Sequence, residues 1–343
     1  MRALRLGTRR SRLALAQSGM MAERVRELTG RPVELVEITT YGDVSREELA
    51  QIGGTGVFVS ALRDALLRGE IDFAVHSLKD LPTAQPEELV LAAVPARADA
   101  RDALVARDGL SLAALAAASP AGAAAGAAGD RPPPRIGTGS PRRRAQLHAW
   151  ARQLGCEITT VPVRGNVDTR IGYVRSGELD AVVLAAAGLH RAGMASEITE
   201  TLPTDAVLPA PGQGALAVEC AASDAELIAQ LSGLDDPPTR VAVTAERALL
   251  AALEAGCSAP VAALADLHAA EPGPDTSDAE VTMLHLRGAV GTTDGSTLVQ
   301  LSATGPVPAS GGEALRHADR MGRELAAEML AKGAAGLMGE RAH

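Results

Sequence analysis

Ile71-Asp72-Phe73-Ala74-Val75-His76-Ser77-Leu78-Lys79-Asp80-Leu81-Pro82 decides how the chain reads. Ile71 to Val75 has the length and mostly apolar content of a buried strand, and the remainder is a polar turn closed by proline. On its N-terminal side, Val57 to Leu67 has the spacing of an amphipathic helix, with Gly69 past its end as a stop. Further back, Arg2 to Gly7 reads as a strand, Arg12 to Leu28 as a helix capped by Ser11 and ended by Gly30, and Val33 to Thr39 as a second strand. Strand and helix therefore alternate through this region, the grammar of an α/β unit with a mostly parallel sheet. Such sheets meet their ligands at the carboxyl ends of the strands. Thr8-Arg9-Arg10-Ser11, Thr40-Tyr41-Gly42-Asp43 and Ser77-Leu78-Lys79-Asp80 each follow a strand and are expected to converge on one edge.

The same grammar returns in a second unit opened by Asp99 to Arg107. Strands are expected at Arg135 to Thr138, Glu157 to Val163 and Asp180 to Ala185, with helices at Ser140 to Leu154 and Val167 to Ser176. Ser140-Pro141 is an N-cap followed by proline at the first helical position, and Arg142, Arg143 and Arg144 come next. Asn166 caps the following helix between Arg164 and Arg170. Helix N-termini carry partial positive charge, so two of them with added arginines form an anion cradle. Residues 116–134 are rich in Ala, Gly and Pro without periodicity and are expected to form a flexible insert. Leu208-Pro209-Ala210-Pro211-Gly212-Gln213-Gly214 precedes an apolar strand, Ala215 to Ala221, where the chain is expected to return to the first unit. The expected division is 1–97 with 212–234, then 98–211, then a smaller α+β unit over 235–343. That last unit holds a long helix from Pro237, two or three strands (Val281 to Gly291, Leu298 to Thr304) and a final helix from Gly312 to Ala331.

With 343 residues, 46% hydrophobic and 22% charged, the chain has the composition of a globular protein of two or three domains, and no apolar run approaches a bilayer span. The opening residues lack a secretory pattern, so the expected address is the cytoplasm, with no membrane partner. A net charge of -9 argues against nucleic acid. Within this acidic chain Arg9, Arg142, Arg143, Arg164, Arg170 and Arg191 stand in or beside Gly/Ser/Thr-rich turns. Guanidinium pairs bidentately with carboxylate or phosphate and stays charged, so the set points to an anion with many negative groups. Lysine occurs only at 79 and 332, which singles out Lys79 as a compact ammonium with a task. Cys156, Cys220 and Cys257 form no CxxC and have no histidine at zinc-ligand spacing, so free thiols and no metal are expected. Cys156 and Cys220 lie in apolar, strand-like stretches and are expected to be buried. Cys257 sits in Glu254-Ala255-Gly256-Cys257-Ser258-Ala259-Pro260, a loop after an Ala/Leu-rich helix, where a thiol is accessible.

Five motifs now stand in order: Gly7-Thr8-Arg9-Arg10-Ser11-x-Leu13-Ala14-Leu15-Ala16-Gln17, His76 to Pro82, Gly137-Thr138-Gly139-Ser140-x-Arg142-Arg143, Arg164-Gly165-Asn166-Val167-x-Thr169-Arg170, and Gly256-Cys257. Together they resemble the porphobilinogen deaminase (hydroxymethylbilane synthase) family. The resemblance implies a monomer with two periplasmic-binding-protein-like (type II) lobes around a cleft and a smaller α+β C-terminal domain. It implies a dipyrromethane cofactor bound covalently through Cys257, and condensation of four porphobilinogen molecules head to tail onto it with release of ammonia, then hydrolytic release of the linear tetrapyrrole. Asp80 matches the catalytic aspartate, a carboxylate that stabilises cations and moves protons. Lys79, Ser77, Thr138, Gly139, Ser140, Arg142, Arg143, Arg164 and Arg170 match the cofactor contacts. Arg9, Ser11, Gln17, Arg191, Gln213 and Phe58 would meet substrate; Phe58, after Gly53-Gly54-Thr55-Gly56, reads equally as an anchor for its helix. The chain departs from many relatives at Gln51 and Thr55, where they carry lysines, and at Gly139, where they carry serine. Two other readings are a two-lobed anion-binding module without catalysis and a thiol-dependent transferase using Cys257, though no histidine spacing supplies the latter with a base.

Overall fold

The computed structural model describes residues 2–38, 57–117, 132–254, 259–269, 282–308 and 310–338. In chain order its elements are β1 (Leu4–Thr8), α1 (Arg12–Thr29), β2 (Val33–Glu37), α2 (Val57–Leu67), β3 (Phe73–Ser77), β4 (Leu89–Ala93), β5 (Asp102–Ala106), α3 (Leu112–Ala117), β6 (Arg135–Gly137), α4 (Pro141–Gln153), β7 (Thr159–Val161), α5 (Val167–Arg175), β8 (Ala181–Ala185), α6 (Ala186–Arg191), β9 (Glu200–Thr201), β10 (Leu216–Ala221), α7 (Ala225–Leu231), α8 (Pro237–Ala252), β11 (Val261–Ala269), β12 (Thr282–Gly291), β13 (Leu298–Val307) and α9 (Gly311–Ala331).

Helix ends fall where the sequence puts them because their caps are local chemistry. Ser11 Oγ accepts from the Ala14 amide and Gly30 takes a left-handed φ of 65° after α1. Ser140 accepts from the Arg143 amide at the start of α4, and Asn166 from the Thr169 amide at the start of α5. Strand ends follow tertiary pairing instead. β3 runs from Phe73 to Ser77, two residues later than the apolar run suggests, because Ser77 pairs with Leu216 of β10. Asp72 is meanwhile drawn off to the backbone and guanidinium of Arg5, at 2.7 and 2.8 Å.

Two five-stranded sheets share one wiring. The first has the order β2-β1-β3-β10-β4, the second β7-β6-β8-β5-β9. In each, the second strand pairs in parallel with two neighbours, β1 with β2 and β3, β6 with β7 and β8. In each, one strand then runs antiparallel, β10 between β3 and β4, β5 between β8 and β9. The return of the chain after the Pro/Gly segment is thus β10, inserted into the first sheet. Leu4, Leu6, Met21, Val25, Phe73 and Val218 fill the core of the first lobe, while the second buries Leu104, Ile136 and Leu147 on one face of its sheet and Val182, Leu184 and Ile171 on the other. An antiparallel sheet, β11-β12-β13, packs with α8 and α9 into the third unit.

Two expectations are corrected. Cys156 is not in a regular strand but is an isolated β-bridge residue just after the turn that ends α4, half-buried, its thiol donating to Ala151 O. The 116–134 insert begins later than its composition implies, since Ala116 is buried within α3; residues 118–131 lie outside the described residues. β4, α3, α6, β9 and α7 were not anticipated. β4 is an edge strand, held by pairing with β10 rather than by its own pattern.

Candidate active site

The carboxyl ends of β1 and β3 meet as the sheet demands. Thr8 ends β1 and accepts from Ser18 Oγ of α1 at 2.8 Å. One residue earlier on that helix, Gln17 is buried and its amide donates to Ser77 Oγ at 3.1 Å, tying the two strand ends together. Arg9, Ser11, Gln17, His76, Ser77 and Asp80 line a cleft of about 100 Å³ at this junction. Asp80 is exposed at its mouth, in the 3-10 turn Leu78–Asp80. The turn Thr40-Tyr41-Gly42-Asp43 lies outside the described residues.

Below the cleft a second carboxylate is wholly buried. Glu219 of β10 receives Arg63 at 2.8 and 3.1 Å and Gln85 at 3.0 Å, and His76 Nε2 stands 3.0 Å away. Burial pushes its carboxyl up, but His76, Arg63 and Gln85 outweigh that and hold it at about 2. The network fixes the residue before Ser77 from underneath.

Across the cleft stands the second lobe's cationic wall. Burial lowers the Lys79 ammonium from its ordinary value, Asp80 opposes that shift, and Arg143 and Arg142 add to it. Arg170, whose Nε donates to Gly165 O at 2.9 Å, is lowered by burial and by Arg143 and Arg164, again with Asp80 opposing. Lys79 and Asp80 of one lobe and Arg142, Arg143, Arg164 and Arg170 of the other therefore share one electrostatic neighbourhood. Thr138 is buried and accepts from the Ser140 amide at 3.2 Å. Gly139 is exposed, and a Cβ there would lie 2.8 Å from Val163 O, so the position is closed to any larger residue unless the backbone gives.

The wall is held by a residue the sequence reading passed over. Asp102, fully buried at the head of β5, accepts from Arg142 Nη1 at 2.8 Å, Arg143 Nη2 at 2.7 Å and Gln213 Nε2 at 2.8 Å. Burial raises its carboxyl, and the two guanidiniums overcome this and hold it well below the usual carboxylate range. Arg142 also donates to Leu208 O at 2.6 Å and Arg143 to Val183 O at 2.9 Å. Gln213, expected to contact substrate, is instead enclosed beneath the cleft, donating also to Ala100 O at 2.7 Å and accepting from Lys79 at 3.4 Å. Arg191 is half-buried and donates to Gly214 O at 2.5 Å, on the returning crossover. The available signal for Asp102 was an acid opening an otherwise apolar strand.

Cys257 and the side chain of Phe58 lie outside the described residues. Of the described thiols, burial raises Cys156 and, with help from Asp224 and Glu219, pushes Cys220 up to about 11. Neither is a thiolate at neutral pH. Among the described residues no group of His, Cys, Asp and Glu could hold a metal ion, and no helix is long and apolar enough to cross a membrane.

Two similarly wired α/β lobes, with a cationic wall facing an exposed carboxylate, define a two-lobed α/β protein with a charged cleft. Residues 4–229 match the family model "Porphobilinogen deaminase, dipyromethane cofactor binding domain", and residues 241–331 match "Porphobilinogen deaminase, C-terminal domain". The chain is 71% identical to porphobilinogen deaminase 1 of Streptomyces avermitilis over 99% of both chains, and 69% identical to porphobilinogen deaminase 1 of Streptomyces coelicolor, again over 99% of both. Among solved structures it is similar to a probable amino-acid ABC transporter extracellular-binding protein of Bacillus subtilis, at 10% identity and a TM-score of 0.38, over 68% of this chain and 90% of that one. That last likeness is too slight to add to the wiring of the sheets. The chain belongs to the porphobilinogen deaminase family. It is a transferase, a hydroxymethylbilane synthase that joins four porphobilinogen molecules on a dipyrromethane cofactor and releases the linear tetrapyrrole.

Proposed function

We propose that Asp80 is the carboxylate that carries the chemistry, and that the second lobe's arginines hold the acetate and propionate groups of cofactor and substrate. The observation that carries this is the exposed Asp80 at the cleft mouth, within electrostatic reach of Lys79 and of Arg170 across the cleft. The donor set suits a bound polycarboxylate. Among the described residues the buried Nε atoms of Arg142, Arg143 and Arg191 have no hydrogen-bond partner, and a buried donor left unpaired costs about 1–3 kcal/mol. Arg142, Arg143, Arg164, Arg170, Lys79, Ser77, Thr138, Ser140 and the Gly139 amide would hold the dipyrromethane, with Cys257 as its covalent anchor.

When bound, the dipyrromethane supplies the free α-carbon to which porphobilinogen is joined. Asp80 would face the pyrrole N–H of the incoming porphobilinogen and balance the cation left as its aminomethyl group loses ammonia. The same carboxylate would then accept the proton shed at the joining carbon. Arg9, Ser11 and Gln17 would seat the incoming ring at the first lobe's edge. Each added ring brings two more carboxylates, which explains why so acidic a chain lines one cleft with guanidinium.

The division of the chain into 1–97 with 212–234, 98–211 and 235–343 is supported by the membership of the three sheets. We further propose a cytoplasmic monomer, as the family resemblance implies. Intact mass tests the reading: wild type should carry an excess of two condensed pyrrole units that Cys257→Ser lacks. Asp80→Asn should keep the excess while turnover falls about 10²–10⁴-fold. An unadorned wild type that gains nothing from porphobilinogen, or an Asp80→Asn variant with normal turnover, contradicts it.

A further inference from the structure

Arg247 of α8 reaches out of the third unit and into the first lobe. Its Nη1 donates to Leu81 O at 2.8 Å and Leu78 O at 3.4 Å, and its Nη2 to Pro82 O at 2.7 Å. These carbonyls belong to the turn that bears Lys79 and Asp80. Among the described residues the turn's backbone bonds include Leu81 N to Leu78 O at 3.1 Å and Leu78 N to Ala215 O at 3.0 Å. Leu78 and Leu81 are buried against Val94, Ala215 and Val243, the last also on α8. One side of the turn is therefore held by apolar packing and three carbonyls of the turn by the Arg247 guanidinium, while Asp80 stays exposed toward the cleft.

The helix that supplies Arg247 is itself fixed. The preceding residue, Glu246, receives Arg97 at 2.6 and 3.0 Å, the Gly212 amide at 2.6 Å and the Ala265 amide at 2.8 Å, so it is pinned to both crossovers and to β11. α8 ends at Ala252, five residues before Cys257. A planar fork of donors with a permanent charge suits a fixed set of carbonyls better than an ammonium would.

We propose that Arg247 is a positioning residue for the condensation. It registers the Lys79–Asp80 turn against the helix leading to Cys257, so that Asp80 meets each ring from one place. The inference rests on the reading of Asp80 as the catalytic carboxylate. Arg247 acts only through the turn, and displacing a reacting group by an ångström can cost on the order of 10²-fold in rate.

A cavity of about 190 Å³, lined by Thr83, Arg240, Thr244, Arg247, Asp319 and Arg323, leaves room for Arg247→Met and Arg247→Lys. With Arg247→Met we expect intact mass to show full cofactor loading, KM within about threefold of wild type and kcat down about tenfold or more. Amide exchange should rise in the peptide spanning 76–84 and stay unchanged in β11, β12 and β13. Arg247→Lys, which keeps the charge and reaches fewer carbonyls, should recover part of kcat. Normal kcat in Arg247→Met beside an inactive Asp80→Asn overturns the proposal alone. A loss of kcat that merely tracks the unfolded fraction, with exchange raised throughout the third unit, also overturns it. Normal turnover in Asp80→Asn removes the role of Asp80 and this proposal with it.

Discussion

Glu219 links the floor of the active site to pH. Its carboxyl titrates at about 2 in the folded protein against an ordinary value of 4.5. A depressed carboxyl stabilises the fold above its unfolded value and loses that contribution as pH falls through the folded one. Glu219→Gln should therefore lower stability by about 3 kcal/mol at neutral pH, and the gap to wild type should narrow between pH 4.5 and 2. Urea unfolding across that range measures it; a gap independent of pH would mean the carboxylate is not what Arg63 and His76 stabilise. Two of the three buried acids were visible in the sequence as anomalies, Glu219 inside Leu-Ala-Val-Glu-Cys-Ala and Asp102 ahead of Ala-Leu-Val-Ala. Their partners were not, because Arg63 lies 156 residues from Glu219 and Arg142 lies 40 from Asp102. Two adjacent cations in the first turn of α4 repel each other and oppose the helix dipole. Asp102 offsets both effects, which is why the guanidiniums are anchored to the fold as well as offered to a ligand.

At the level of elements, the caps of α1, α4 and α5 were legible because a cap is a contact within four residues. Docking between elements was not. The turn joining β12 to β13 contains Asp294-Gly295, a recognisable hairpin signal. The structure adds that Gly295, with φ 67°, presses on α4: a Cβ there would lie 2.6 Å from the His148 carbonyl carbon, with the Ala149 amide nearer still. Arg152 of the same helix donates to Asp294 O at 3.5 Å. The helix that presents Arg142 and Arg143 is thereby braced by the third unit. Gly295→Ala combines a strained φ with a main-chain clash and should cost about 1–3 kcal/mol. The check is a lowered melting temperature with faster amide exchange in 141–153; an unchanged α4 would mean the turn does not brace it.

For the whole molecule the decisive contact is Glu246, where both crossovers and β11 converge on one fully buried carboxylate. Removing one partner of a buried, hydrogen-bonded pair strands the other, at about 3–5 kcal/mol. Arg97→Leu should therefore lower the calorimetric midpoint far more than Arg2→Leu, whose pair with Asp72 is exposed on the arginine side. Equal effects would deny Glu246 this role. The crossovers themselves were legible, since the Pro/Gly segment at 208–214 and the apolar strand after it announce a return. The carboxylate at which they meet sits on a helix that the sequence places in the third unit, and nothing local marks it as shared.

The return strand also sets an order of events at the ribosome. All five strands of the second lobe fall between Asp102 and Thr201, so that sheet can close as soon as its own stretch has emerged. The first sheet has β10 in its interior and cannot close until Ala221 has been made. At roughly 5–20 residues per second, the nascent first lobe holds the facing edges of β3 and β4 open for on the order of ten seconds. The half of the enzyme that is translated first is the last to be finished.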